Sequence, residues 1–293
     1  MPELPEVETV RRDLVKHLLG ARFSKIEIIN FKNVAPEATF LAKYLKGKSI
    51  VDVRRRGKLL IIDLDVPEKH LLFHLKMTGQ LIYLADNFMT AGGHSLSDAS
   101  LAASVGGELP NKFTRAHFIF DNGDSLFFND LRKFGYIKLT DGPELEKICR
   151  ENYGPEPLAK DFNVDYLKNI FTGRLAPVKA ILLNQKLIAG LGNIYVDEAL
   201  FSAGIDPGRL ARSLRLEEIK SLHAAVVYII KKAIKARGTT FRNFVDARGK
   251  KGNFIDYLQV YGRHQQACQR CGRPIQKKKI AGRGTHYCQY CQK

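Results

Sequence analysis

The sequence contains no tryptophan, three methionines and five cysteines in 293 residues. Four of the cysteines are grouped near the C-terminus and Cys149 stands alone, which does not fit a secreted disulfide framework. No apolar run approaches the roughly 20 residues that a transmembrane helix requires. The charged N-terminus has no signal-peptide pattern. We therefore expect a soluble cytoplasmic protein that is not associated with a membrane.

Acidic residues are also scarce, because 30 Asp and Glu face 47 Lys and Arg, giving a net charge of +17. This excess favours a polyanion as partner. Nucleic acid is favoured over a membrane surface, since no basic amphipathic helix with a bulky apolar face is evident. The alternative is a protein that is associated with the ribosome or is merely basic. The length is sufficient for two domains and a small additional module.

The N-terminus combines a proline with an acidic residue. If Met1 is removed, Pro2 carries a free secondary amine that can attack an aldehyde-like carbon and form an iminium. An α-amino group has a pKa of about 7.7–8.0, so much of it is neutral near neutral pH. Glu3 is placed to act as a general acid or base. Pro5 at the first helical position and Glu6 in the first turn equally fit a plain helix start.

Short β-branched or apolar segments separated by turn residues dominate the first half. They predict an antiparallel sandwich rather than βαβ units. A short helix is expected over 40–45, a long flexible loop over 85–111, and a basic turn over 54–58. The predicted strands cover 24–29, 49–53, 59–64, 71–75, 79–83, 115–121 and 125–128.

The second half has helical periodicity. Helices are predicted over 144–151, 164–171, 178–184, 194–203 and 216–236, with a rigid linker at 153–157. Asn193 is predicted to cap the helix that follows it, and the amide groups at that helix start are a candidate phosphate site. We expect domains at 1–142, 143–255 and 256–293.

Two C-x-x-C pairs close the chain, with sixteen residues between them. Four thiolates at this spacing predict a tetrahedral structural Zn²⁺ site, with no position left open for water. The expected ligands are Cys268, Cys271, Cys288 and Cys291. Basic residues between the pairs predict a hairpin whose tip, near Arg283, faces a phosphate backbone.

Three runs together resemble the formamidopyrimidine-DNA glycosylase family of bacteria: P-E-L-P-E-V-E after Met1, G-L-G-N-I-Y-V-D-E at 190–198 and A-G-R-G-T-H-Y-C at 281–288. The resemblance implies an α+β multidomain fold. Its parts would be an N-terminal β-sandwich with flanking helices, a helix–two-turns–helix domain and a C-terminal β-hairpin zinc finger. It also implies base excision of oxidised purines and cleavage of the abasic strand by β,δ-elimination.

The same resemblance assigns roles to single residues. Pro2 would be the nucleophile, Glu3 the proton donor, Lys58 a participant in β-elimination, and Arg283 the residue linked to δ-elimination. The implied DNA contacts comprise phosphate ligands, residues that fill the void of the flipped nucleotide, and a loop over 239–245 that caps the lesion. They are His74, Asn193, Met77, Arg132, Phe134, Thr240, Arg242 and Phe244.

One departure from the family pattern is the run Lys112–Arg115, where many members carry two histidines. Arg115 is expected to compensate for the missing contact to DNA. The segment 85–111 is also longer than expected and is interpreted as an insertion.

The resemblance leaves two other functions open: an endonuclease VIII-like glycosylase for oxidised pyrimidines, and a non-catalytic zinc-dependent protein that binds damaged DNA. The expected partner is double-stranded DNA with oxidised bases or abasic sites. We expect a monomer in the bacterial cytoplasm, associated with the nucleoid.

Overall fold

The computed structural model describes residues 1–85, 108–239 and 253–293 in full, and the backbone of 88–91. The chain divides into two compact units. The first comprises Met1–Cys149 and Ala236–Asn253, and the second comprises Arg150–Lys235 and Phe254–Lys293. The predicted domain ranges 1–142, 143–255 and 256–293 stay predictions.

The first unit is a sandwich of two five-stranded sheets with two helices, α1 (Leu4–Leu18) and α2 (Ala38–Leu45). One sheet has the order β1-β8-β9-β6-β7 and the other β2-β10-β5-β4-β3. All pairs are antiparallel except β2 with β10. The strands are β1 (Phe23–Ile28), β2 (Val34–Ala35), β3 (Ile50–Arg56), β4 (Leu59–Leu64), β5 (Lys69–His74), β6 (Gly79–Ala85), β7 (Phe88–Ala91), β8 (Thr114–Phe120), β9 (Ser125–Asp130) and β10 (Tyr136–Asp141).

Aromatic side chains join the two sheets at the centre of this core. The ring of Phe73 on β5 lies 5.7 Å from Phe118 on β8 and 6.0 Å from Phe128 on β9, measured between ring centroids. Helix α1 adds its apolar stripe, including Val7 and Leu14, to the same cluster. Burial of this stripe holds the N-terminus of the chain against the sandwich.

The second unit is mainly helical. Helix α3 (Gly142–Asn152) contains the boundary between the units. The rest of the unit contains α4 (Val164–Phe171), α5 (Val178–Leu183), α6 (Asn193–Ala203), α7 (Leu216–Lys235), the 3₁₀ turns Ala211–Ser213 and Phe254–Tyr257, and a hairpin of β11 (Gln276–Ile280) and β12 (Arg283–Tyr287). Helix α6 is buried along most of its length, from Ile194 to Phe201, so it forms the centre of this unit.

The expected fold class is confirmed, and every predicted strand and helix exists within a few residues of its expected limits. Three details were wrong. Part of the expected loop at 85–111 is strand β7, while 86–87 and 92–107 lie outside the described residues. Arg54–Arg56 belong to β3, so the turn itself is only Gly57–Lys58. Finally, α1 begins at Leu4, one residue early.

Among the helices that the structure describes, none is both long enough and apolar enough to cross a membrane.

Candidate catalytic and nucleic-acid-binding residues

The chain start is fixed by the first turn of α1. Glu3 is the N-cap residue of this helix and is buried. Its backbone N–H donates a 2.8 Å hydrogen bond to Oε2 of Glu6, the return half of a capping box. Pro2 is half-buried and Met1 is 46 % exposed. The residue expected to be the nucleophile therefore directly precedes a carboxylic acid whose backbone is held in place.

Glu6 also binds a distant part of the first unit. Its Oε1 accepts a 2.8 Å hydrogen bond from the backbone N–H of Thr239, which is 233 residues away in the sequence. Gly238 allows this approach, since it has φ of 83° and a Cβ there would lie 2.6 Å from Glu6 Oε1. One carboxylate thus anchors both the N-terminus and the residues that lead into the expected lesion-capping loop. Thr240, Arg242 and Phe244 of that loop lie outside the described residues.

Lys58 lies in the turn between β3 and β4 and is buried. Arg55 braces this turn, because its Nη1 donates to the Gly57 carbonyl at 2.9 Å and its Nε to Oε2 of Glu8 at 3.1 Å. Burial opposes ionisation of Glu8, but hydrogen bonds from Arg11 and Arg12 and the charge of Arg55 lower its pKa to about 2. An ionised Glu8 therefore ties α1, whose N-terminus carries Glu3, to the turn that carries Lys58.

His74 ends β5 as a neutral imidazole. Desolvation, and then the charges of Lys76 and Lys58, lower its pKa to about 3. Its Nδ1 accepts a 3.0 Å hydrogen bond from the Lys76 backbone N–H. The proton of the neutral ring therefore lies on Nε2, which is a donor suited to a phosphate oxygen.

The three residues expected to fill the void in a base stack lie on two turns of the first unit. Met77 follows β5 and is 39 % exposed, while Arg132 and Phe134 follow β9. The Arg132 guanidinium lies 4.5 Å from the centroid of the Phe134 ring, which is 50 % exposed. Exposed apolar side chains stiffened by a cation–π contact have the chemistry of a base-step wedge.

Arg115 is placed differently from these exposed groups. It is buried, and its Nε donates a 2.9 Å hydrogen bond to the Asp130 carbonyl. Its Nη1 donates a second hydrogen bond, of 3.4 Å, to the Thr114 carbonyl. The expected contact with DNA stays a prediction.

In the second unit, Asn193 is the first residue of α6 and not its N-cap, which is Gly192. The prediction of a cap was wrong because the side chain is used elsewhere: its Nδ2 donates a 2.9 Å hydrogen bond to the Gly284 carbonyl. This bond ties the start of α6 to β12. Arg283 begins β12 with an exposed side chain.

A buried ion pair, which the sequence did not reveal, joins the same elements. Nζ of Lys179 on α5 lies 2.5 Å from Oδ1 of Asp197 on α6 and 2.8 Å from Oγ1 of Thr285 on β12. Oδ2 of Asp197 accepts the His286 backbone N–H at 2.9 Å. Both charged side chains have 0 % exposure. The hairpin that carries Arg283 is thereby locked onto the helices of its own unit.

Glu198 is a second buried acid that sequence reasoning missed, although it lies in the run at 190–198. Burial raises the pKa of its carboxyl group, while hydrogen bonds from three backbone N–H groups oppose that rise. These donors are Gln259, Val260 and Tyr261, at 2.9, 3.0 and 2.8 Å. Glu198 thus fixes the segment that leads into the cysteine-rich region.

The four predicted cysteines come together in the second unit. Their sulfur atoms lie within 4.8 Å of one another, with 3.9 Å between Cys268 and Cys291 and 3.6 Å between Cys271 and Cys288. Tetrahedral zinc with bonds of about 2.3 Å requires sulfur atoms about 3.8 Å apart. The cluster fits one structural Zn²⁺, as predicted.

Family models match most of the chain. Residues 1–137 match the formamidopyrimidine-DNA glycosylase N-terminal domain, 153–245 the H2TH domain of the same enzyme, and 265–293 the zinc finger found in FPG and IleRS. A formamidopyrimidine-DNA glycosylase of Pelotomaculum thermopropionicum is 42 % identical over 296 residues, covering 100 % of this chain and 99 % of the relative.

Solved structures give the same result. The complex of Lactococcus lactis Fpg (MutM) with DNA containing N7-benzyl-Fapy-dG has a TM-score of 0.87 and 36 % identity, and covers 100 % of both chains. The complex of Lactococcus lactis Fpg with DNA containing an abasic site has a TM-score of 0.87 and 36 % identity, with 99 % of both chains covered. Because the sequence relatives, the domain matches and the fold all agree, this chain belongs to the formamidopyrimidine-DNA glycosylase family.

Proposed function

We propose that this protein removes oxidised purines from double-stranded DNA and cleaves the resulting abasic strand, in base excision repair. The observation that carries the proposal is the N-terminus, where half-buried Pro2 precedes buried Glu3 on a capped helix. Family members with known DNA complexes match this chain over its whole length. With Met1 removed, the Pro2 nitrogen is a nucleophile that needs no cofactor.

In the proposed reaction the Pro2 nitrogen bonds to the sugar C1′ as the bond from C1′ to the base breaks. The base leaves with a proton, and Glu3 protonates the ring oxygen as the sugar opens to an iminium. The iminium acidifies the C2′ hydrogen, so loss of that proton expels the 3′ phosphate. A second elimination expels the 5′ phosphate. Lys58 serves the first elimination and Arg283 the second.

DNA binding in this proposal relies on phosphate contacts and a wedge. His74 donates its Nε2–H to a phosphate oxygen, and Asn193 and Arg283 contact the backbone from the second unit. Met77, Arg132 and Phe134 fill the space that the flipped nucleotide leaves. Arg115 supports the turn between β9 and β10, which carries Arg132 and Phe134, or contacts DNA. These contacts make affinity fall as the salt concentration rises.

Oxidised purines are proposed over oxidised pyrimidines on two sequence features. Leu4 stands where the endonuclease VIII branch carries glycine, and Thr239 to Val245 match a lesion-capping loop. The protein is proposed to act as a monomer in the bacterial cytoplasm, on the nucleoid. The zinc ion that the four cysteines would hold has a structural role and takes no part in the chemistry, whereas Arg283 on the same hairpin does.

The test measures single-turnover excision from duplexes containing 8-oxoguanine opposite cytosine, with thymine glycol duplexes as the comparison. Faster release of 8-oxoguanine supports the proposal, and faster release of thymine glycol supports the endonuclease VIII-like alternative. Tight binding without release from either duplex would support the non-catalytic alternative. Pro2→Gly should lose most excision, because the secondary amine is gone; wild-type rates in that variant would refute the assignment of the nucleophile.

A further inference from the structure

Asp130 is a fully buried carboxylate at the end of β9, with 0 % exposure. Its Oδ2 accepts a 2.8 Å hydrogen bond from the Gly135 backbone N–H. Its Oδ1 accepts the Thr78 hydroxyl and, at 3.2 Å, the Arg132 backbone N–H. The side chain therefore closes the turn between β9 and β10 and binds the turn after β5 at the same time.

Thr78 completes the connection between these two turns. Its Oγ1 donates to Asp130 and accepts a 3.1 Å hydrogen bond from the Arg132 backbone N–H. The residue before Thr78 is Met77, and Arg132 belongs to the other turn. Asp130, Thr78 and the Arg132 amide thus form a closed three-membered hydrogen-bond ring that spans both turns.

Both turns contain a residue in the left-handed region. Lys76 has φ of 48° and Lys133 has φ of 56°, and neither is glycine. Such conformations persist where the surrounding contacts impose them. Asn33 adds to those contacts, since its Nδ2 donates to the Lys133 carbonyl at 2.8 Å and to the Gly135 carbonyl at 3.0 Å.

The space around the carboxylate is closed as well. A Cβ on Gly135 would lie 2.7 Å from Cζ of Phe128, 2.9 Å from the His74 carbonyl oxygen and 3.1 Å from Oδ2 of Asp130. Those first two distances are far below ordinary contact, so the turn has no room to shift against β5 and β9. The position of the turn between β9 and β10 is therefore set by packing and by the hydrogen bonds of Asp130 together.

We propose that Asp130, acting with Thr78, is a positioning residue that holds Met77, Arg132 and Phe134 in one arrangement before DNA binds. The inference rests on the proposed function, since it assumes that these three side chains enter the base stack. A wedge that is ordered in advance loses less conformational freedom on insertion, which speeds extrusion of the damaged base. Asp130 itself touches neither the substrate nor the reacting atoms.

The carboxylate is required because its two oxygens accept hydrogen bonds from three donors, the Thr78 hydroxyl and the backbone N–H groups of Arg132 and Gly135. Asp130→Asn keeps the size but turns one oxygen into an NH₂ group that faces an N–H or O–H donor. Thr78→Val removes the hydroxyl, whereas Thr78→Ser keeps it. Asp121→Asn is a matched control, because Asp121 is an exposed aspartate in the turn between β8 and β9.

The experiment compares two single-turnover rates for each variant. One is excision of 8-oxoguanine from a duplex, and the other is cleavage of a preformed abasic site in a single strand, where no stacked base has to be extruded. A 2-aminopurine beside the lesion reports unstacking by its fluorescence. Asp130→Asn and Thr78→Val should slow duplex excision and unstacking by about tenfold or more, with single-strand cleavage unchanged. Thr78→Ser and Asp121→Asn should behave like wild type.

Equal slowing on both substrates would overturn the inference, because Asp130 would then support only the fold. Duplex excision at the wild-type rate, or Thr78→Ser as slow as Thr78→Val, would overturn it too. If Asp130→Asn fails to fold, the two Thr78 variants decide the question. A wild-type protein that cleaves neither substrate would instead remove the proposed function, and the inference with it.

Discussion

Lys179→Met tests whether the buried ion pair holds the zinc hairpin on its helices. The variant keeps an unbranched side chain but removes the ammonium group that lies 2.5 Å from Asp197 Oδ1. Asp197, at 0 % exposure, then keeps the hydrogen bond from the His286 backbone N–H but loses the ammonium group that balances its charge. Removing one partner of a buried pair costs about 3–5 kcal/mol of unfolding free energy. Loss of the hydrogen bond to Thr285 is included in that range.

Equilibrium unfolding in urea measures this cost, with zinc release followed in the same samples by a colorimetric chelator. Asp197→Asn serves as the second arm of a double-mutant cycle. Since the two side chains contact each other, the double variant should lose less than the sum of the single losses, by about 0.5–3 kcal/mol. The exposed pair of Lys220 with Glu217 is the control, and Lys220→Met should cost less than about 1 kcal/mol. A loss below about 1 kcal/mol for Lys179→Met would refute the reasoning.

Three further perturbations follow from the described contacts. Because burial lowers the pKa of His74 to about 3, the folded ring stays neutral where the unfolded ring protonates. The free energy of unfolding should therefore fall as pH drops below about 6.5. His74→Gln should reduce this dependence on pH, measured by urea titrations at several pH values. An unchanged dependence in the variant would count against a neutral His74. Gly238→Ala places a methyl group 2.6 Å from Glu6 Oε1 and should cost about 1–3 kcal/mol, with Gly123→Ala, which meets open space at its own positive φ, as the control. Cys288→Ser should release zinc and weaken DNA binding in a filter assay, while Cys149→Ser should do neither; unchanged metal content in the former would rule out the four-thiolate site.

Local patterns were sufficient for most of the strands and for the metal ligands. Strands such as Leu59–Leu64 are short apolar segments bounded by turn residues, and the cysteine spacing is itself a geometric constraint. Strand β10, Tyr136–Asp141, was missed because polar residues interrupt its apolar ones directly after a turn. Its pairing with β2 and β5 depends on residues that are distant in the sequence. Strand β7 lies in a segment whose small residues favoured a loop.

The contacts that organise the site could not be predicted from local sequence. Glu6 reaches Thr239 across 233 residues, and Lys179 reaches Thr285 across 106. In the sequence, Glu6 and Lys179 look like ordinary surface charges, and only the tertiary structure shows that both are buried. Asn193 shows the opposite error: its residue type fits an N-cap, but its amide is used by the Gly284 carbonyl. A tertiary hydrogen bond has here overridden a local preference for capping.

The chemistry assigned to Pro2 can be tested directly by borohydride trapping on a duplex that carries 8-oxoguanine opposite cytosine. Reduction of the iminium should leave a covalent adduct between protein and DNA, and mass spectrometry of the N-terminus should show that Met1 is absent from the reactive chain. The adduct should disappear in protein that retains Met1, which has no free amine on Pro2. Tight, salt-dependent binding with no adduct, on this duplex and on one with thymine glycol, would contradict the role of Pro2 as the nucleophile.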